Sequence, residues 1–145
     1  MKTLVEGSKY CSFKVGDLLF GIDVRDVQEV LRYQEITHVP LAPPVVRGLI
    51  NLRGQIVTAV DMRRQLGMPE RTDGRLPMSV IVRTREDPIS LLVDEIGDVI
   101  EVDPDGFEDI PPTVSGVVRD LMTGVHKLDD GLLLVLKTER AIRIA

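Results

Sequence analysis

The sequence contains no tryptophan, a single cysteine, and only three phenylalanines and two tyrosines in 145 residues. Cys11 has no second cysteine to pair with, and together with two histidines it gives no metal-ligand spacing. Barrels that bind single-stranded nucleic acid stack the bases on exposed aromatic rings, which this chain can hardly supply. These shortages argue against a disulfide scaffold, a metal site and a nucleic-acid-binding barrel.

Blocks of basic residues and long apolar runs are also missing. The chain has 18 Lys and Arg against 23 Asp and Glu, with a net charge of −5, and charges of the two signs are interspersed along it. A protein that binds nucleic acid or an anionic membrane needs a basic surface, and a membrane-spanning helix needs about 20 apolar residues. The N-terminus lacks the apolar core of a signal peptide. We therefore expect a cytoplasmic protein with no nucleic-acid partner and no direct membrane insertion.

What the sequence does contain is a series of short apolar runs separated by turn residues. Gly16-Asp17 and Arg53-Gly54 each divide two β-prone runs, as expected of hairpins, and Gly54 can supply a positive φ. A third hairpin is predicted around residues 85–87. The predicted strands are residues 10–15, 18–23, 48–52, 55–60, 78–84 and 88–96, with residues 97–102 continuing the sheet of the third hairpin.

Two segments favour short helices. In residues 23–32, Val24, Val27, Val30 and Leu31 recur at helical spacing after Asp23, which can cap the first turn. Residues 61–67 predict a second helix, capped by Asp61 and ended by glycine.

An internal repeat defines the fold class. Residues 124–142, "GVHKLDDGLLLVLKTERAI", repeat the order of elements in residues 48–66, "GLINLRGQIVTAVDMRRQL": strand, turn with glycine, strand and short helix. Closed sheets hide the strand edges that isolated hairpins expose. We therefore predict an all-β protein of two small β-barrels packed on one core, with short helices and intertwined halves at roughly residues 10–70 and 76–145.

Four blocks resemble one family. The segments "VGDLLFGIDVRDVQEVLR", "VVRGLINLRGQIVTAVDMR", "LLVDEIGDVIEV" and "GVHKLDDGLLLVLK" are similar to successive blocks of the bacterial chemotaxis coupling proteins of the CheW family. The resemblance runs from about Tyr10 to the C-terminus. It implies one CheW-like domain over residues 1–145, built from two five-stranded barrels.

The resemblance also implies a function: a non-enzymatic adaptor that couples chemoreceptors to a CheA-type histidine kinase. In that family a barrel face binds the regulatory domain of the kinase. An apolar groove between the barrels receives the helical cytoplasmic tip of a methyl-accepting chemoreceptor. No catalytic residue, cofactor or metal is implied. The partner-binding residues carried over are Val24, Val27, Glu29, Val30, Arg53, Gly54, Met78, Ile89 and Ser90.

The chain departs from the usual family pattern at four positions. Ser90 stands where glycine is frequent, which affects how closely a receptor tip would fit. Thr58, Met62 and Lys137 replace a more usual proline, leucine and aspartate.

Several of these residues have alternative interpretations. Arg53 could be a solvated turn residue, or its planar fork could bind a partner's carboxylate or pair with Glu29. Val27 and Val30 fit a core as well as a contact surface. Two other functions stay open: a small β-barrel ligand- or protein-binding module in another signalling pathway, and a hydrolase using Asp23, Asp61 or Asp94. Caps and turn bonds explain those aspartates without catalysis.

Overall fold

The computed structural model describes residues 7–144, which form two five-stranded sheets and a few short helices. The strands are β1 (Lys9–Val15), β2 (Leu18–Asp23), β3 (Val27–Leu31), β4 (Val46–Leu52), β5 (Gln55–Asp61), β6 (Met78–Val82), β7 (Ile89–Val93), β8 (Glu95–Glu101), β9 (Met122–Leu128) and β10 (Gly131–Leu136). The first sheet has the strand order β8-β1-β2-β10-β9, and the second has the order β3-β6-β7-β5-β4. The α-helices are α1 (Met62–Gln65), α2 (Gly116–Asp120) and α3 (Thr138–Ala141).

The predicted all-β class with two five-stranded units is confirmed, and so is the internal repeat. In each sheet two antiparallel hairpins meet through one parallel pair, β2 with β10 and β5 with β7. The two repeated segments form equivalent units, since the hairpin β4–β5 leads into α1 and the hairpin β9–β10 leads into α3. Among residues 7–144, no helix is long and apolar enough to cross a membrane.

The two sheets are interleaved along the chain. The first sheet combines β1 and β2 with β8, β9 and β10, whereas the second combines β3, β4 and β5 with β6 and β7. Each sheet therefore takes strands from both of the halves at residues 10–70 and 76–145, and neither half forms a sheet by itself.

A central core joins the two sheets. Phe13 and Phe20 from the first sheet are fully buried and stack with their ring centroids 6.1 Å apart. They belong to one cluster with Val80 and Leu91 from the second sheet. Fully burying each such side chain contributes about 1.5–3 kcal/mol. The shared core was predicted, and it holds the two sheets together.

The predicted helix over residues 23–32 is wrong. Asp23 does cap a turn, accepting a hydrogen bond from the Arg25 N–H, but that turn is a three-residue 3₁₀ helix, and the chain then continues as β3. A β-bulge between Val27 and Glu29 inserts one extra residue. As a result Val27 and Val30, three residues apart, pair with Val82 and Val80 on the same face of the sheet. This spacing of three imitates a helical pattern.

The placement of the strand after the third hairpin also differs from the prediction. We expected residues 97–102 to extend the sheet of β6 and β7, but β8 pairs with β1 in the first sheet. The Ser12 hydroxyl donates to the Asp98 carbonyl at 2.5 Å and helps to hold β8 there. Periodicity identifies a strand but carries no information about which neighbour it joins.

Candidate functional site

The hairpin turn between β4 and β5 places Arg53 at the surface in an unusual conformation. Arg53 has φ 52° and Gly54 has φ 88°, so both central residues of the turn lie in the left-handed region that tight hairpins require. The Gly54 N–H donates to the side-chain oxygen of Asn51 at 2.8 Å. The turn is therefore fixed by its neighbours, and the arginine side chain projects from a rigid base.

Arg53 forms an ion pair with Glu29, which comes from a distant part of the chain. The guanidinium Nη2 of Arg53 donates to Glu29 Oε2. Glu29 lies on β3 and Arg53 follows β4, and these are the two edge strands of the second sheet. The pair therefore links the two opposite edges of that sheet. Glu29 and Arg53 are 24 residues apart in the chain and come together only when the sheet forms.

The ion pair is accessible to solvent. The side chain of Arg53 is 66% exposed and that of Glu29 is 25% exposed. The hydrogen bond from Arg53 lowers the pKa of Glu29 below its ordinary value, so the carboxylate keeps its charge to a lower pH than a free glutamate would. Among residues 7–144, the Arg53 guanidinium has a side-chain hydrogen bond to Glu29 alone, so its other N–H donors have no protein partner in that part of the chain. Those donors are available to a carboxylate or carbonyl on another molecule.

The predicted valines occupy different environments near this pair. Val24 is half-buried in the 3₁₀ turn, and Val27 packs against the central core. Val30 lies beside Glu29 and is 43% exposed. Of the three, Val30 offers the most apolar surface to a partner, and Val27 mainly stabilises the sheet.

The residues predicted for the second wall of a groove do not come together. Met78 and Ile89 lie at opposite ends of the hairpin of β6 and β7, because Met78 pairs with Val93 and Val82 pairs with Ile89. Both are half-buried against the central core. Ser90 is completely buried, so its side chain is not accessible to another protein on this surface.

An apolar residue that the sequence analysis missed lies close to the turn. Ile56 follows Gln55 at the start of β5 and is 57% exposed, whereas Val57 and Ala59 point inward and are buried. Ile56 and Ile89 line one groove of about 420 Å³ together with Ile142 and Ile144. The alternation in β5 was hidden because residues on both of its faces are apolar.

A second, wider cleft of about 1100 Å³ lies where the two sheets meet. Its lining includes the aromatic rings of Tyr10 and Phe107 and charged residues of both signs, such as Arg83 and Glu139. None of the predicted partner-binding residues is among the described residues that line it. The lining of this cleft is therefore mixed and charged, whereas the resemblance implies an apolar groove between the two sheets, and that groove stays a prediction.

The three aspartates considered for catalysis have structural partners. Asp61 accepts from the Arg64 N–H at the start of α1 and pairs with Arg47 at 3.0 Å. Asp94 accepts two hydrogen bonds from Arg63, at 2.9 and 2.6 Å, and Asp23 binds Arg25. Within residues 7–144 no group of His, Cys, Asp and Glu side chains could hold a metal ion.

Comparisons with known proteins agree over almost the full chain. The family model described as CheW-like domain matches residues 9–145. The chemotaxis protein CheW of Bacillus subtilis (strain 168) is 30% identical over 122 residues, which cover 84% of this chain and 76% of that protein. The chemotaxis protein CheW of Treponema pallidum (strain Nichols) is 28% identical over 129 residues, covering 86% of this chain and 76% of that protein.

A solved structure shares the fold. The crystal structure of the scaffolding protein TtCheW from Thermoanaerobacter tengcongensis matches with a TM-score of 0.79 and 31% identity, covering 90% of this chain and 88% of that one. Sequence and structure are thus similar to the same group of proteins.

Proposed function

The chain belongs to the CheW-like domain family of chemotaxis scaffolding proteins, which are adaptors and not enzymes, and we propose that it couples chemoreceptors to a CheA-type histidine kinase. The proposed partners are the regulatory domain of the kinase and the helical cytoplasmic tip of a methyl-accepting chemoreceptor. Such an adaptor works in the cytoplasm, where both partner surfaces are present.

The observation that supports a partner site most strongly is the exposed Glu29–Arg53 pair. Interfaces often centre on an arginine surrounded by apolar residues, since the planar fork forms two directed hydrogen bonds and its stem packs on apolar surface. Ile56, three residues after Arg53, supplies exposed apolar surface. We propose that Glu29, Arg53 and Ile56 form one contact surface, named here the edge surface. Val30 is also exposed, but it directly follows Glu29 on β3 and points to the opposite face of the strand, where it offers a second apolar contact.

The groove lined by four isoleucines supports an extension of the edge surface. Ile56 belongs to both, and Ile89, Ile142 and Ile144 supply further apolar lining beside the charged residues Arg85, Glu86 and Asp87. The isoleucines suit the spaced apolar anchors of an amphipathic helix, and the charged residues suit its polar face. Gly54 fixes the turn that carries Arg53. The roles of Val24, Val27, Met78 and Ser90 in partner binding stay predictions.

Reconstitution tests the proposed coupling directly. Kinase autophosphorylation would be measured with receptor tips alone and with receptor tips plus this chain, and we expect receptor-dependent control of the kinase only when the chain is present. Arg53→Ala should weaken this effect. Arg75→Ala, at an exposed arginine in the loop after α1, is the matched control and should behave like the wild-type protein. Kinase activity that never responds to the wild-type chain would contradict the proposal.

A further inference from the structure

The cleft of about 1100 Å³ where the two sheets meet contains positive charges without partners. Arg83, Arg85 and Lys137 line it, and within residues 7–144 the side chains of these three residues form no hydrogen bond or ion pair. Arg25 at the same cleft is different, because it pairs with Asp23 at 3.1 Å. Three exposed cations of the lining are therefore not used to stabilise the fold and are available to a ligand.

The acidic residues of the cleft do not cancel this charge. Four basic and three acidic residues line it, so the lining has a formal charge of +1 in a chain of net charge −5. Asp23 accepts from Nε and Nη2 of Arg25, each at 3.1 Å, and Asp26 accepts from the Thr138 hydroxyl at 2.8 Å. The third acidic residue, Glu139, is exposed. The cleft as a whole therefore attracts anions.

Asp26 holds two of the cationic segments side by side. Its carbonyl accepts from the Arg83 N–H at 2.8 Å, and its carboxylate accepts from Thr138, the residue after Lys137. Arg83 and Lys137 therefore reach the cleft from neighbouring segments. A phosphate group has several oxygens and can accept charge-assisted hydrogen bonds from more than one such donor.

Lys137 occupies a position that favours a carboxylate. It is the N-cap of α3, and its side chain makes no capping hydrogen bond. At the equivalent position of the internal repeat, Asp61 caps α1 by accepting from the Arg64 N–H. Aspartate is a preferred cap, whereas lysine has no acceptor to offer. The stability of α3 does not explain a lysine here, but an anionic ligand in the cleft does.

Phe107 supplies a flat apolar surface in the same cleft, and its side chain is 43% exposed. The ring packs on β9 so closely that a Cβ on Gly124 would lie 2.3 Å from it. It also contacts the ring of His126, with the centroids 5.5 Å apart. The Phe107 ring is thus fixed by its neighbours and still partly open, as a surface for stacking another ring requires.

We propose that this cleft binds a small aromatic phosphate ester, such as a nucleoside monophosphate. Arg83, Arg85 and Lys137 bind the phosphate, and the aromatic ring of the ligand stacks on Phe107. The cleft volume of about 1100 Å³ is close to the upper end of the range of about 300–1,000 Å³ that is usual for small-molecule sites. No residue of the edge surface lines the cleft, so the site is separate from the proposed coupling function.

Other anionic occupants fit less well. A polynucleotide carries many phosphates and needs a continuous basic surface, which a chain of net charge −5 does not offer. An acidic peptide would satisfy the three cations but would leave the exposed ring of Phe107 without a stacking partner.

Calorimetric titration of the 145-residue chain with adenosine monophosphate tests the site. Adenosine and inorganic phosphate represent the two halves of this probe, and each should bind at least about tenfold more weakly than the intact nucleotide. Guanosine monophosphate and phenyl phosphate should bind as well, because they also combine a ring with a phosphate.

Lys137→Asp is the most informative variant, since it reverses one charge of the cleft and gives α3 the cap that α1 has. Its melting temperature should equal or exceed that of the wild-type protein, while its affinity for adenosine monophosphate should fall about tenfold or more. Phe107→Leu should weaken binding of the nucleotide and leave the affinity for inorganic phosphate unchanged, which a merely structural role of the ring would not produce.

The matched control is Arg75→Asp, which changes the net charge by the same amount at an exposed arginine outside the cleft. It should bind the nucleotide like the wild-type protein. Unchanged affinity in Lys137→Asp, or no binding of the two nucleotides and phenyl phosphate at millimolar concentration, would overturn the inference. Inorganic phosphate binding as tightly as the nucleotide would overturn the aromatic part of the site. Hexaglutamate binding more tightly than the nucleotide would overturn it in favour of an acidic peptide. These titrations contain neither kinase nor receptor, so their outcome is independent of the proposed function.

Discussion

Arg53 occupies a turn position that favours asparagine or glycine. Its φ of 52° belongs to the left-handed region, in which residues with a side chain are strained and asparagine is tolerated best. Its ion pair with Glu29 is exposed, and pairs of that kind contribute little to stability. Because arginine contributes little to stability at this position, we infer that its role there is to bind a partner.

Replacing Arg53 by asparagine separates these two roles. Arg53→Asn should leave the melting temperature unchanged or slightly higher, because backbone strain is relieved while only an exposed pair is lost. Binding to the partner that contacts the edge surface should weaken about tenfold or more, as expected for an interface hot spot. Thermal denaturation and calorimetric titration on the same preparations measure both effects.

One further variant sharpens the result. Arg53→Lys keeps the charge without the planar fork and should recover only part of the affinity. If Arg53→Asn binds both partners as tightly as the wild-type protein does, Arg53 is merely a solvated turn residue and the edge surface is wrongly assigned.

Several elements of the fold meet at Asp94, which follows β7. Its carboxylate accepts hydrogen bonds from Arg63 of α1 and, at 2.8 Å, from the Gly16 N–H in the turn between β1 and β2. The Asp94 N–H donates to the Lys14 carbonyl at 3.0 Å. This residue therefore links the two sheets and a helix, a role that its position after a strand did not reveal.

We expect Asp94→Ala to be strongly destabilising. The substitution leaves the half-buried Arg63 guanidinium and the Gly16 N–H without their acceptor, which should cost about 2–4 kcal/mol of unfolding free energy. Urea denaturation measures this loss. Asp17→Ala, at an exposed aspartate in the adjacent turn, is the control and should change the unfolding free energy by no more than about 0.5 kcal/mol. Equal effects of the two substitutions would show that the Asp94 network is unimportant.

At the scale of the whole molecule, the chain should fold only when both of its halves are present, because the two sheets are interleaved. Each sheet needs strands from both halves, and the central core takes side chains from both sheets. A fragment containing one half therefore exposes unpaired strand edges and half of a core, which favours disorder or aggregation.

Cutting the chain between residues 70 and 76 tests this dependence. Residues 72–76 are exposed in the loop between α1 and β6, so a cut between Gly74 and Arg75 should be tolerated and keeps Arg71, which bonds Asp94. Fragments 1–74 and 75–145 should show no cooperative unfolding separately but should form a folded complex when they are co-expressed. Circular dichroism with thermal melting gives the result, and a fragment that folds alone would contradict it.

The response to acid also belongs to the whole molecule, since its titrating groups lie in different elements. Burial between the rings of Tyr10 and Phe107 lowers the pKa of His126 below 6.5, although Glu108 and Asp103 act in the opposite direction. Burial disfavours the charged form of Asp94, but hydrogen bonds from Arg63 and Gly16 outweigh it and lower its pKa below 3.8.

Both shifts make the protein less stable at low pH. A depressed folded-state pKa means that the unfolded chain binds protons more readily, so stability present above the unfolded pKa is lost as pH falls. The loss should begin below about pH 6.5 through His126 and steepen near pH 4 through Asp94. Urea denaturation across this range measures it. His126→Phe should flatten the curve between about pH 7 and pH 5, and an unchanged slope there would exclude His126 as the cause.

Local chemistry was sufficient to predict much of this protein. Hairpin turns such as Arg53-Gly54, the capping role of Asp61 and the repeated order of strands and helix depend on neighbouring residues, and the sequence displays them directly.

Tertiary structure decided the rest. The bulge at Val27 turned a helical spacing into a strand, because pairing with β6 outweighs weak local preferences. The Glu29–Arg53 pair and the full burial of Ser90 arise from strand order, and strand order depends on contacts between residues far apart in the chain.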